Sequence, residues 1–213
     1  MSVRVECRDL SVVVEDTALL APTSFCHQAP GLIALTGPNG SGKTTLLKTL
    51  AGRQLPTSGQ CLIDGQTPYE FDPGFRATVA SLIDTPPIAR DMTLLEQLAL
   101  VRVSWGHDDD AFGAAQQFLD RLTIAQLAER FPFELSAGQL QLFAVALTLS
   151  RPSSLLLLDE PERHLDGERV HALLGVVQER VQAGALVITA THRAELIAHT
   201  DSQIELEHSV SAV

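Results

Sequence analysis

Lysine is almost absent from this chain: its 213 residues include only Lys43 and Lys48. Basic residues number 15 against 26 acidic ones, a formal net charge of −11. Nucleic-acid binders set lysine and arginine against phosphates, so this balance argues against a nucleic-acid partner. No apolar run approaches the roughly 20 residues a helix needs to cross a bilayer. The opening Met1-Ser2-Val3-Arg4-Val5-Glu6-Cys7 is broken by charges, unlike a signal peptide. Cys7, Cys26 and Cys61 are odd in number and widely spaced, with no C-x-x-C pair. They argue against a disulfide framework or thiolate metal cage and read as reduced, buried thiols of a cytosolic protein. The length suits one domain with an inserted subdomain and a substantial core.

Against so few lysines, the setting of Lys43 stands out. Gly37-Pro38-Asn39-Gly40-Ser41-Gly42-Lys43-Thr44, followed by Thr45, fits G-x-x-x-x-G-K-[ST] without a gap. The apolar run Leu32–Leu35 enters it as a strand, and Thr45–Leu50 leaves it as a helix. Glycines let successive backbone N–H groups turn inward around a polyphosphate, at the positive end of the new helix. Lys43 is placed to reach the β- and γ-phosphates, and Thr44 to meet Mg²⁺. The chain is expected to bind a nucleoside triphosphate.

The remaining elements alternate. Val3–Glu6, Leu10–Val14, Cys61–Ile63, Thr78–Ile83, Leu155–Leu158, Ala185–Thr189 and Gln203–Leu206 read as strands. Leu94–Val103, Asp110–Leu122, Ile124–Glu129, Gln139–Leu149 (with Ser136 as a cap) and Glu168–Val181 read as helices. Alternation predicts an α/β fold with a parallel sheet. The helical stretch predicts an inserted lobe at about 87–150, between core segments at about 1–86 and 151–213.

Further motifs accompany the phosphate loop. The apolar Leu155–Leu158 ends in Asp159-Glu160. The first carboxylate suits Mg²⁺, and the second can orient or deprotonate an attacking water. Upstream lies Leu135-Ser136-Ala137-Gly138-Gln139; downstream come Glu160-Pro161-Glu162-Arg163-His164-Leu165-Asp166 and then Thr191-His192. In this order and spacing, over essentially the whole chain, the sequence resembles the ATP-binding-cassette (ABC) ATPases. Their signature L-S-G-G-Q matches Ser136-Ala137-Gly138-Gln139, with Ala137 in place of a glycine. Their E-P-x-x-x-L-D run ends here at Asp166, and their switch histidine is His192.

The resemblance implies a RecA-like core of the P-loop NTPase type, with a mixed or parallel sheet, an antiparallel N-terminal β region and an inserted helical subdomain. It implies an ATPase using ATP and Mg²⁺, with Glu160 and His192 catalytic and Thr44 and Asp159 at the metal. The signature would meet the γ-phosphate held by a second copy or a paralogous subunit, with Asp166 at the same boundary. A separate transmembrane permease would be the further partner, holding this chain on the cytoplasmic face of the membrane. A soluble ATPase of the same family, of the iron–sulphur assembly type, is the alternative.

Three places depart from the family's pattern. Where the family carries a glutamine at the metal, this chain has Asp84, either a Mg²⁺ ligand or a solvent-facing loop acid. Where the family stacks adenine on an aromatic ring, it has Val14. The helix after the signature reads Gln139-Leu140-Gln141-Leu142-Phe143, without the usual arginine.

Overall fold

The computed structural model describes residues 2–106 and 109–207. They fall into two compact units: Met1–Ile83, Ser153–Glu160 and Arg180–Val213 form the first, and Asp84–Pro152 and Pro161–Glu179 the second.

The first unit holds two sheets. One is antiparallel, in the order β2-β1-β4, from β1 (Arg4–Val14), β2 (Thr17–Gln28) and β4 (Ser58–Ile63). Sequence reading splits β1 in two; the chain runs through as one strand. Its register slips between Cys7 and Leu10, where Asp9 takes a φ of 44° and its N–H bonds Ser24 Oγ at 2.8 Å. This is a bulge, and the polar Arg8-Asp9 pair occupies it. No strand is expected at β2, which carries Pro22. The sheet tolerates that proline because β2 is an edge strand.

The second sheet is parallel, in the order β5-β6-β7-β3-β8. Its strands are β3 (Gly31–Thr36), β5 (Val79–Leu82), β6 (Leu155–Asp159), β7 (Leu186–Ala190) and β8 (Ser202–Glu205). Leu32–Leu35, Leu155–Leu158 and Leu186–Ala190 are buried throughout, as expected of strands covered on both faces. Asp201 fastens β8 to β3 twice: its N–H donates to the Leu32 carbonyl and its carboxylate accepts from the Leu32 N–H, each at 2.8 Å. Helix α1 (Lys43–Leu50) packs Leu46, Leu47 and Leu50 into the core formed with β1, β3, β6 and β7. A short helix, α2 (Pro73–Thr78), capped by Asp72, takes the start of the strand expected at 78–83.

The second unit is helical. It includes α3 (Leu94–Ser104), α4 (Ala111–Arg121) and α5 (Ala137–Leu149), and α6 (Gly167–Gln182) starts in it. A four-residue helix, α7 (Ala194–Ile197), belongs to the first unit. Thr93 and Glu96 close a reciprocal capping box on α3. The helix expected at 124–129 is only a 3₁₀ turn, Ala125–Leu127.

Gln97, 5% exposed, holds the segment before α3. Its Oε1 accepts from Ala89 N–H at 2.9 Å, and its amide donates to the carbonyls of Ala89 at 3.0 Å and Met92 at 2.9 Å. Gln97→Leu keeps the volume but strips three bonds from part-buried backbone. We expect a loss of about 1–3 kcal/mol in urea unfolding, with faster amide exchange at 89–92. An unchanged midpoint would show that water replaces the side chain.

Candidate functional site

The phosphate loop sits between β3 and α1, and its shape is set from behind. Gly42 has a φ of 97°, and a Cβ there would lie 2.5 Å from the Leu19 carbonyl oxygen of β2. Only glycine fits both the torsion and the approach. Lys43 is 7% exposed, and its ammonium donates to the carbonyls of Gly37 at 2.8 Å and Pro38 at 3.0 Å. The loop thus cradles the ammonium, while Asn39 and Gly40 form its exposed rim. Ser41 Oγ is buried with no hydrogen-bond partner. An orphaned hydroxyl is costly unless something fills the site. With the helix end and Lys43, it fits a polyphosphate.

Thr44, in the first turn of α1, donates to Asp159 Oδ2 at 2.6 Å, across from the end of β6. Burial pushes the Asp159 carboxyl up; the Thr44 hydrogen bond pulls against it, Glu160 adds to it, and Lys43 and Lys48 oppose it. The net direction is upward. This hydroxyl–carboxylate pair is a hard-oxygen set that fits Mg²⁺. No group of three or more His, Cys, Asp or Glu side chains suited to a metal occurs among the described residues.

Glu160 leaves β6 with a φ of 45°, and its N–H donates to the Ala190 carbonyl at 2.9 Å. That bond sets it beside the end of β7, from which the chain continues through buried Thr191 to His192. His192 Nε2 lies 3.9 Å from Glu160 Oε1, with both side chains about half exposed. The first unit therefore brings together the loop, Lys43, Thr44, Asp159, Glu160 and His192 at the carboxyl ends of β3, β6 and β7. Thr45 follows, half-buried, on α1. Val14 ends β1 at 43% exposure, beside exposed Val13.

The other candidates belong to the second unit. Ser136 caps α5 in a reciprocal box with Gln139: its N–H donates to Gln139 Oε1 at 2.8 Å, and its Oγ accepts from Gln139 N–H at 3.4 Å. Ala137 opens the helix. A Cβ on Gly138 would lie 2.6 Å from the His164 carbonyl, so the chain after Glu162 crosses close over this helix end. Leu142 and Phe143 are fully buried, and Gln141 donates to the Pro161 carbonyl at 3.2 Å, so this face of α5 packs internally. Asp166 caps α6, accepting from Arg169 N–H at 3.0 Å and pairing with its guanidinium at 3.3 Å. Asp84 is exposed in the bend that follows β5. Sequence reading missed the Leu19 backing of the loop, since a carbonyl's position carries no side-chain signal.

Comparison with known proteins agrees with this geometry. The model of the ABC transporter family matches residues 20–163. The hemin import ATP-binding protein of Nocardia farcinica is 34% identical over 181 residues, 82% of this chain and 62% of that protein. An uncharacterized ABC transporter ATP-binding protein of Haemophilus influenzae is 29% identical over 208 residues, 94% of this chain and 79% of that one. The solved structure of an ATP-binding subunit of an ABC transporter superposes with a TM-score of 0.79 at 26% identity, covering 96% of this chain and 86% of that one. This chain belongs to the ABC transporter family, as one of its nucleotide-binding domains. No helix among the described residues is long and apolar enough to cross a membrane.

Asp159 offers a stability test. A carboxyl raised in the folded state favours folding while protonated, at pH below its unfolded pKa, and loses that contribution as pH rises through its folded value. At neutral pH this half-buried charge therefore opposes folding. Asp159→Asn keeps an acceptor for Thr44 and removes the charge. Its melting temperature at neutral pH should exceed that of the wild type, and the difference should shrink on acidification. A lower melting temperature at neutral pH would show the charge to be stabilising.

Proposed function

We propose that this chain binds Mg–ATP, hydrolyses it, and drives a separate membrane-spanning permease from the cytoplasmic face. One observation carries the reading. A carboxylate and an imidazole stand 3.9 Å apart at the end of the strand whose Asp159 is tied to the phosphate loop. In this reading the loop amides and Ser41 take the β- and γ-phosphates, and Lys43 exchanges its two carbonyls for phosphate oxygens. Thr44 and Asp159 hold Mg²⁺, which supplies charge neutralisation. Glu160 orients and deprotonates the attacking water, and His192 holds that carboxylate and the phosphate end in place. The import role in the Nocardia relative's name supports coupling to a permease.

The signature residues Ser136, Ala137, Gly138 and Gln139 act on the nucleotide of a second copy or a paralogue, and Asp166 lies at that boundary. Asp84, exposed in the bend after β5, is either a Mg²⁺ ligand or a solvent-facing loop acid.

Glu160→Gln tests the central role. Turnover should fall by roughly 10²–10³ while ATP still binds, and ATP should convert the variant to dimers in light scattering. Wild-type turnover in this variant would overturn the assignment. A strict monomer with ATP bound would assign the second half of the site to a paralogue.

Val14 presents an aliphatic surface where the family stacks the base. We expect the wild type to bind ATP and GTP with affinities within a few-fold of each other. An aromatic platform is worth about 1–3 kcal/mol, or roughly 5- to 150-fold in affinity. Calorimetric titration of Val14→Tyr in the Glu160→Gln background should show ATP tightening within that range. Unchanged affinity would place the base elsewhere.

A further inference from the structure

All three thiols lie in the antiparallel sheet, and two of them meet. Cys7 of β1 and Cys61 of β4 are direct cross-strand partners, 2% and 3% exposed. The ladder defines the kind of pair they form. Asp64 N–H donates to the Arg4 carbonyl at 2.9 Å, which makes Arg4 opposite Asp64 a hydrogen-bonded position. Antiparallel pairs alternate from there. Val5 opposite Ile63 is non-bonded, Glu6 opposite Leu62 bonded, and Cys7 opposite Cys61 non-bonded. Facing Cα atoms at non-bonded positions lie about 4.5 Å apart, inside the span of roughly 4.4–6.8 Å that a disulfide bridges. Cys26 is no competitor. It pairs with Glu6, on the opposite face from Cys7, where it is exposed and Arg4 Nε lies 3.3 Å from its sulfur.

We propose that Cys7 and Cys61 form a redox-closable dithiol, converted to a cross-strand disulfide by a small-molecule disulfide. Cys61 reacts first, because it lines a cavity of about 120 Å³ with Thr49, Leu55, Thr67 and Pro68. Its thiolate attacks one sulfur of the small disulfide and releases one small thiol. The Cys7 thiolate then attacks the Cys61 sulfur and releases the second. The new S–S bond replaces the reagent's, and two electrons and two protons pass from the protein to two small thiols. The hydrogen bond from Cys61, together with burial, pushes the Cys7 thiol far above its ordinary range. Thiolate is therefore scarce, and closure and reopening by a thiol are both slow.

The position of the bond gives it consequence. A link from residue 7 to residue 61 encloses β2, β3, the phosphate loop and α1 in one covalent ring. It stabilises by restricting the unfolded chain, and no change at the loop itself is needed.

The test uses the whole chain, incubated for hours with hydroxyethyl disulfide, then alkylated and digested without reduction. We expect a peptide joining Cys7 to Cys61, and a melting temperature raised by about 5 °C or more that dithiothreitol reverses. Cys26→Ala should keep the effect, and Cys7→Ala and Cys61→Ala should each lose it. Peptide mapping of the wild type decides the matter even if a buried variant fails to fold. Adducts on Cys26 with Cys7 and Cys61 still reduced would overturn the proposal. So would a Cys7–Cys61 bond that leaves the melting temperature unchanged.

Discussion

The hydrogen bond from Thr44 to Asp159 spans 115 positions of sequence and ties the first turn of α1 to the end of β6. The chemistry of the site is arranged around it. It draws a half-buried carboxylate up to the loop that holds Lys43, and Glu160 follows as the next residue. The parallel ladder then brings in His192, because Asp159 pairs with Ala190 two positions upstream of it. The bond also works against the burial that pushes the Asp159 carboxyl up, keeping a charge where apolar packing alone would not.

Legibility in the sequence followed the physics of each element. Strands β3, β6 and β7 were readable because both faces are covered, which demands unbroken apolar runs. The loop was readable because its backbone tolerates few residue types. Strand β2 was not: one half-exposed face and Pro22 hide a strand, and only its edge position makes the proline acceptable. The bulge at Asp9 made one strand look like two. At 78–83 the extended stretch begins only at Val79, since Asp72 and Pro73 start a helix whose local signal the strand reading overrode.

Side-chain identity likewise showed the site's chemistry and not its supports. Lys43, Thr44, Asp159 and Glu160 could be named from residue type and spacing, and His192 from the family resemblance. The Leu19 carbonyl behind Gly42 and the His164 carbonyl over Gly138 could not, although each makes a glycine obligatory. Gln97 shows the limit from the other side. It is the first glutamine after the place where one was missing, yet its amide is wholly engaged with Ala89 and Met92.

The chain passes between the two units at Ile83–Asp84, Pro152–Ser153, Glu160–Pro161 and Glu179–Arg180. Two of these four crossings fall on candidate residues. Glu160 is the last residue of one unit, in the left-handed region at φ 45°, and a proline begins the other. Asp84 stands at the first crossing in the same way. Glu160 thus takes its aim within the first unit, through the bond of its N–H to the Ala190 carbonyl, and the chain leaves that unit only after it.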